Sequence, residues 1–369
     1  MRICVVTESF IPQINGVTNS VLRLLEHLKS EGHQSLVVAP AGSAIDYLGF
    51  PVIHMPSIHL KRFGDARIAL PLNRIAKQVF EFRPDVIHLA SPALMGHYIA
   101  RRADLFDIPT VGIFQTDLAG FAKHYGFGLS QNAIWKWVSR IHRNVDRTLA
   151  PSSAACSDLK SLEVPQVFLW QRGVNIELFN PRRRTNQFSS KIPSKRIVGY
   201  VGRLANEKRV YDLAPLAKRS DIQLVIVGDG PARKELEALM PDAIFKGFLT
   251  GIELAGTMAS FDCFIHTGPN ETFCQAVQEA LACGVPTIAA NQGGPKDLIS
   301  NGSNGYLINT QNSHELNEAV NRILHPANWS NFSEAAHLSV SQRSWNSVMN
   351  QLMNHYQDVI QLRKVEVAA

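Results

Sequence analysis

The sequence predicts two doubly wound α/β domains in tandem. Short apolar runs alternate with amphipathic stretches through the first half, and a polar, proline-bearing stretch at 180–195 interrupts them. The same alternation then restarts and continues almost to the C-terminus. Repeated β-then-α order implies parallel strands whose crossover helices pack back on both faces of a sheet. A length of 369 residues suits two such domains.

The elements follow in chain order. Residues 3–6 form an apolar run expected as a buried strand. Val21, Leu24, Leu25 and Leu28 recur at i, i+3, i+4 and i+7, which predicts a helix over 17–31 ended by Gly32. Runs at 36–39, 85–90, 110–114 and 148–150 read as further strands. The stretch NPRRRTNQFSSKIPSK at 180–195 lacks hydrophobic periodicity and reads as a linker. Beyond it, strands are expected at 197–201, 223–227, 243–245, 263–266, 286–290 and 305–308. A last helix over about 345–362 is expected to cross back onto the first domain. The organisation is therefore an N-terminal domain over 1–180, with a crossover helix at about 345–369, and a C-terminal domain over 196–344. Ligands of open α/β sheets bind at the carboxyl ends of the strands, so a central cleft faced by both domains is the expected site.

Composition removes several classes. Hydrophobic residues are 45% and charged residues 18%, which excludes disorder, collagen-like repeats and coiled coil as the main state. No apolar run approaches the roughly 18 residues of a membrane-spanning helix. The start, MRICVVTESFIP, is too briefly apolar for a leader peptide, so a cytoplasmic chain is expected, in reach of the inner face of the plasma membrane. Lysine plus arginine is 37 against 31 acidic residues, a net +6 that suits a nucleotide, a nucleic acid or an acidic lipid. The positive charge is scattered and no recognition motif accompanies it, which argues against nucleic acid. Five cysteines without CxxC spacing read as reduced thiols.

Four local patterns bear on chemistry. Arg203 and Lys208 lie five apart where the strand at 197–201 is expected to turn into a helix, a place where cations and amides can hold a diphosphate; they are equally two solvated cations. Gly228-Asp229-Gly230 begins a GxGxxG pattern but has Arg233 where the third glycine belongs, so it reads as a structural turn. Glu271, on the loop after the strand at 263–266, and Glu279, about two turns along the next helix, can each accept hydrogen bonds from a hydroxyl-rich ligand. The alternative is an unrelated loop carboxylate and helix-face carboxylate. Gly293-Gly294 forms a turn before Asp297.

Taken together, Gly202-Arg203 with Lys208, Glu271 with Glu279, Ala282-Cys283-Gly284-Val285-Pro286 and Gly293-Gly294 resemble the retaining glycosyltransferases of family 4, enzymes of the GT-B fold. Phe10-Ile11-Pro12 leading to Asn15-Gly16-Val17 is similar to the family's N-terminal half. Ala90-Ser91-Pro92, the run from Phe114 to Phe121, Leu149 to Ser153, and Glu271 to Gln275 resemble its GDP-mannose-dependent α-mannosyltransferases of actinobacteria. The subgroup most resembled mannosylates glucuronosyl diacylglycerol.

The resemblance implies a nucleotide-sugar donor, a glycolipid acceptor and a role for each matching position. Arg203 and Lys208 match cations that bind the donor diphosphate. Glu279 matches the carboxylate on the ribose, and Glu271 the one on the transferred sugar. Phe273 and Cys274 match the loop whose amides approach that sugar, with Cys274 standing where many relatives carry glycine. Gly16 matches a backbone that closes over the donor. Many relatives have a histidine where this chain has Gln115-Thr116-Asp117. Asp117 or Gln115 then supplies the polar group there: Asp117 would orient a sugar hydroxyl, act as a base toward the acceptor, or only cap the following turn. The chain has no DxD and no HExxH, so transfer without a metal or other cofactor is expected.

Two basic stretches are candidates for an anionic membrane surface: Lys61-Arg62 with Arg67, Arg74 and Lys77, and Lys136, Arg140, Arg143 and Arg147 on one expected helix face. The second reads first as a solvated face over a buried one. Phosphatidylinositol-mannoside mannosyltransferases, relatives using a UDP-sugar and sugar-nucleotide epimerases of the same architecture are the alternatives.

Overall fold

The computed structural model describes residues 1–13, 15–60, 66–69, 72–115, 131–188 and 195–368. The chain divides into two compact units: Met1–Arg172 with Asn346–Ala369, and Gly173–Trp345. The division thus falls ahead of the polar stretch at 180–195, where the sequence places the linker. The reason is packing: Arg184 reaches Phe261 O at 2.7 Å and Asp262 Oδ1 at 2.6 Å, and Phe188 is buried, so this stretch joins the second unit.

In the first unit, strands β1 (Arg2–Thr7), β2 (Gln34–Pro40), β3 (Asp46–Tyr47), β4 (Phe50–Met55), β7 (Val86–Ala90), β8 (Thr110–Ile113), β9 (Arg147–Ala150) and β10 (Val167–Leu169) form one sheet, while β5 (Ser57–Leu60) and β6 (Ala66–Ala69) pair separately. The large sheet runs β10-β9-β8-β7-β1-β2-β4-β3 and is parallel except for β3. Helices α1 (Gly16–Ser30), α2 (Asn73–Glu81), α3 (Leu94–Ala103), α4 (Gln131–His142) and α5 (Ser153–Ser161) cover it. The expected stripe of α1 is its buried face: Val21, Leu24, Leu25 and Leu28 are at most 1% exposed. Strand order reverses at β1, between β2 and β7.

The second unit repeats the plan. Strands β11 (Arg196–Val201), β12 (Ile222–Val227), β13 (Ile244–Gly247), β14 (Cys263–His266), β15 (Thr287–Ala290) and β16 (Gly305–Ile308) run β13-β12-β11-β14-β15-β16, all parallel. Alternate strand residues enter two apolar clusters, Val225, Val227, Phe264 and Ala289 in one, Leu224, Ile226, Ile265 and Ile288 in the other. A sheet buried on both faces needs such continuous apolar strands. Helices α6 (Ala214–Ala217), α7 (Arg233–Leu239), α8 (Gly251–Ala259), α9 (Gln275–Ala282), α10 (Ser313–Leu324) and α11 (Pro326–Val340) flank it. The order reverses between β11 and β14.

The last helix, α12 (Trp345–Ala368), belongs almost wholly to the first unit. Val348, Met349, Leu352, Met353, Tyr356 and Val359 are buried there, Tyr356 Oη bonds His88 Nδ1 at 2.7 Å, and Trp170 Nε1 donates to Val348 O at 3.0 Å. Among the described residues no helix is long and apolar enough to cross a membrane.

Candidate active site

A doubly wound sheet opens a crevice at its reversal point, where loops from neighbouring strands diverge. In the second unit those loops follow β11 and β14, and they carry Arg203 with Lys208, and Glu271 with Phe273 and Cys274. Lys208 Nζ donates to Glu271 Oε1 at 2.5 Å. His266, the last residue of β14, places Nε2 3.0 Å from the same oxygen. Two charge-bearing groups therefore converge on one carboxylate oxygen. Burial alone would raise Glu271, but Lys208 and then His266 more than reverse it and hold it well below the usual carboxylate range. Burial would likewise lower Lys208, and Glu271 more than offsets that. His266 is pushed down by burial and up by Cys274 and Glu271, with a net rise to about 10.

Lys208 does not open a regular helix. Residues Asn206–Lys208 form a single 3-10 turn, after which Arg209 is left-handed at φ 53°, so no helix dipole adds to the ammonium there. Lys208 is fixed instead through its backbone, whose carbonyl accepts from Thr267 Oγ1 at 2.7 Å. Arg203, half exposed, lies 4.0 Å from Glu207 and is the freer of the two cations.

Two glycine turns brace these loops. A Cβ on Gly228 would come 1.9 Å from Gly202 O, and one on Gly230 2.3 Å from Leu204 O, so the turn after β12 is the close-packed support of the Arg203 loop. A Cβ on Gly294 would come 2.3 Å from both Phe273 Cα and Phe273 O, and Gly294 N donates to Glu271 O at 2.8 Å. The backbone that positions Glu271 and Phe273 thus rests directly on the Gly293-Gly294 turn.

Glu279 lies just over one turn into α9 rather than about two, because the loop extends to Cys274 and the helix begins at Gln275. Partly exposed, it is raised to about 7 by burial, against a hydrogen bond from Gln275 that lowers it. Cys274 caps α9 at φ 80° and is buried, a left-handed conformation that disfavours any side chain. Ligand atoms of His266, Glu271 and Cys274 lie within 4.8 Å of one another, the spacing of a metal group. The Lys208 ammonium already engages Glu271 Oε1 and supplies a positive charge there.

In the first unit, Gly16 is the first residue of α1, whose cap Asn15 Oδ1 accepts from Thr18 N at 3.0 Å. The Arg172 guanidinium lies over Gly16, 2.9 Å from where a Cβ would stand, and donates to Gln115 Oε1 at 2.6 Å. Glu8, on the loop after β1, accepts from the amides of Ala93, Met95 and Gly96 at the start of α3, and burial raises it to about 7. Asp117 and the basic pair Lys61-Arg62 lie outside the described residues.

Against this geometry, the family models match in sequence order. "Glycosyltransferase Family 4" covers residues 14–178 and "Glycosyl transferases group 1" covers residues 182–337. A GDP-mannose-dependent alpha-mannosyltransferase of Corynebacterium glutamicum is 46% identical over 371 residues, 98% of this chain and 90% of that protein. The chain belongs to glycosyltransferase family 4. At 24% identity over 354 residues it is also similar to the alpha-monoglucosyldiacylglycerol synthase of Acholeplasma laidlawii, covering 88% of each chain. The crystal structure of Anabaena HepE in complex with UDP superposes with a TM-score of 0.78 at 20% identity, over 97% of this chain and 100% of that one. The fold is GT-B.

Two residues of these sites carry no signal in the sequence: His266 and Arg172. His266 ends an apolar strand run and looks like a core residue, although the loop that follows it turns Glu271 back onto its ring. Helical spacing predicts four cations on one face of α4, but the helix ends at His142. Arg147 begins β9, buried, and pairs with Asp358 at 2.9 Å. Lys136 and Arg140 stay exposed, while Arg143 bonds Leu162 O and Glu163.

Proposed function

We propose that this chain transfers a mannosyl residue from GDP-mannose to a membrane glycolipid, glucuronosyl diacylglycerol, with retention of configuration and without a metal. The observation that carries the transfer reading is the Lys208–Glu271 contact at the reversal point of the second unit. A lysine has three donors, so Lys208 can hold Glu271 and still meet an anion. Arg203 and Lys208 offset the charge that develops on the departing diphosphate. Glu271 accepts from a hydroxyl of the transferred sugar, Glu279 from the ribose, and the amides at Phe273 and Cys274 approach the sugar and its phosphate. Gly16, beneath the Arg172 guanidinium, brings its backbone toward the donor, and Asp117 orients a hydroxyl of the sugar or acceptor. The bond from the sugar's anomeric carbon to the diphosphate breaks as the acceptor oxygen bonds that carbon from the same face. The acceptor proton leaves with the diphosphate.

The donor is supported by the name of the Corynebacterium relative, and a diacylglycerol-bearing acceptor by that of the Acholeplasma one. The exposed Lys136 and Arg140 of α4 suit the anionic leaflet on which such an acceptor resides. The test is a transfer assay in chelator, offering labelled GDP-mannose, UDP-glucose or UDP-glucuronate with glucuronosyl diacylglycerol, phosphatidylinositol or no acceptor. Label passing from GDP-mannose to glucuronosyl diacylglycerol with an α-linkage supports the whole reading. Transfer from a UDP-sugar, or to phosphatidylinositol alone, replaces the substrates. Conversion of a donor with no acceptor present makes the chain an epimerase, and dependence on added metal removes the metal-free mechanism.

A further inference from the structure

Oε1 of Glu271 accepts from both Lys208 and His266, and among the described residues no group bonds Oε2. His266 is built into its place. Its side chain is 4% exposed, its ring lies 10° from parallel to that of fully buried Tyr200 at 6.2 Å, and a Cβ on Gly268 would approach its Nε2 to 3.1 Å. Tyr200 Oη in turn donates to Arg203 O at 3.2 Å, so the ring is packed against the residue that also braces the diphosphate loop. An ionised carboxylate only accepts, so His266 Nε2 carries the proton it shares with Glu271.

We propose that His266 is the positioning residue of Glu271, pinning Oε1 jointly with Lys208 so that Oε2 is the oxygen presented to the transferred sugar. The inference rests on the transfer reading above. Its Nδ1 is buried without a hydrogen-bond partner among the described residues, and Nε2 is spent on the carboxylate that meets substrate. Lys208 alone would leave the carboxylate free to swing about a flexible ammonium, and the second, rigid donor removes that freedom.

The test uses the full-length chain and the nucleotide sugar that the wild type turns over. His266→Leu is expected to lower kcat on the order of 10–100-fold, the cost of misplacing a reacting partner, with the affinity for the nucleoside diphosphate within twofold. His266→Gln, whose amide can still donate to Oε1, is expected to recover most of the loss. In a Glu271→Gln background, His266→Leu should change kcat by no more than about twofold, because groups acting as a unit are not additive. Glu271 is faced by Lys208, His266 and Cys274, with Tyr200 and Glu207 beyond them. Losing the His266 charge raises the Glu271 pKa, so the acid limb of kcat/KM should move to higher pH in both variants. A folded His266→Leu chain with kcat within threefold of wild type, an equal loss in the Glu271→Gln background, or an unmoved acid limb overturns the inference alone. If His266→Leu does not fold, the acid limb of His266→Gln decides. A wild-type chain that turns over no nucleotide sugar overturns the transfer reading and this inference together.

Discussion

Lys208 and Glu271, 63 residues apart in sequence, share a 2.5 Å hydrogen bond across the strand-order reversal of the second unit. The pair is mostly withdrawn from water, with side chains 24% and 17% exposed. Removing one partner of such a pair strands the other charge, which costs more than the pair itself contributes. Lys208→Ala is expected to lower unfolding free energy by about 2–3 kcal/mol, below the fully buried case because both groups keep some solvent. Transfer should fall by about 10²–10³, the usual loss for a group that stabilises leaving charge. Chemical denaturation and initial rates measure the two separately. A stable, fully active Lys208→Ala chain would remove the lysine from the mechanism.

The glycine turns give a second prediction. Gly294→Ala drives a Cβ into the Phe273 backbone, which cannot rotate away as a side chain would. Strain of about 1–3 kcal/mol is expected, and the Glu271 loop should shift with it. Gly228→Ala meets Gly202 O and is further strained by its φ of 128°. Both variants should lose activity out of proportion to their loss of stability. Gly302→Ala, at φ 77° with nothing within 4 Å, is the control: backbone strain without a clash, and unchanged kcat.

What the sequence could reveal follows from how each residue is used. The strands of the second unit were legible because both faces of the sheet are buried and each strand is an unbroken apolar run. β4 and β10 were not: β4 contains Pro51 and is partly exposed, and β10 has three residues, two of them, Phe168 and Leu169, facing water. Arg147 kept helical spacing from Arg143, yet Asp146 accepts from Thr110 N at 2.7 Å and turns the chain into β9. Arg203, Lys208 and Glu271, on the loops after β11 and β14, and Glu279, on α9, stood out because their order and spacing match the family's motifs. Arg172 did not, since its partners Gly16 and Gln115 lie far off in sequence, and His266 did not, since it closes an apolar strand run.

Cys274 supports a third prediction. It caps α9 at φ 80°, where a side chain costs about 1–2 kcal/mol relative to glycine. Cys274→Gly removes that strain but loses a buried thiol and loosens the unfolded chain, so stability should stay within about 1 kcal/mol of wild type. Cys274→Val, β-branched in the same conformation, should destabilise by about 2 kcal/mol or more. Thermal unfolding of the two variants side by side checks this. An equal effect of Gly and Val would mean that the loop is not left-handed at this residue.

Glu8 provides a prediction in pH. Burial raises its pKa to about 7 although three amides of α3 donate to it. A carboxyl whose folded pKa lies above its unfolded value binds its proton more tightly in the native state. Its contribution to stability is therefore fully present below about pH 4.5 and lost as pH rises through 7. Glu8→Gln keeps an oxygen for the amides and has no proton to lose. The variant should gain on the wild type by about 1–3 kcal/mol between pH 4.5 and pH 8. Denaturant midpoints of both proteins, measured across that range, give the difference directly. A difference that stays flat with pH would place Glu8 ionised throughout, held by the α3 amides against its burial.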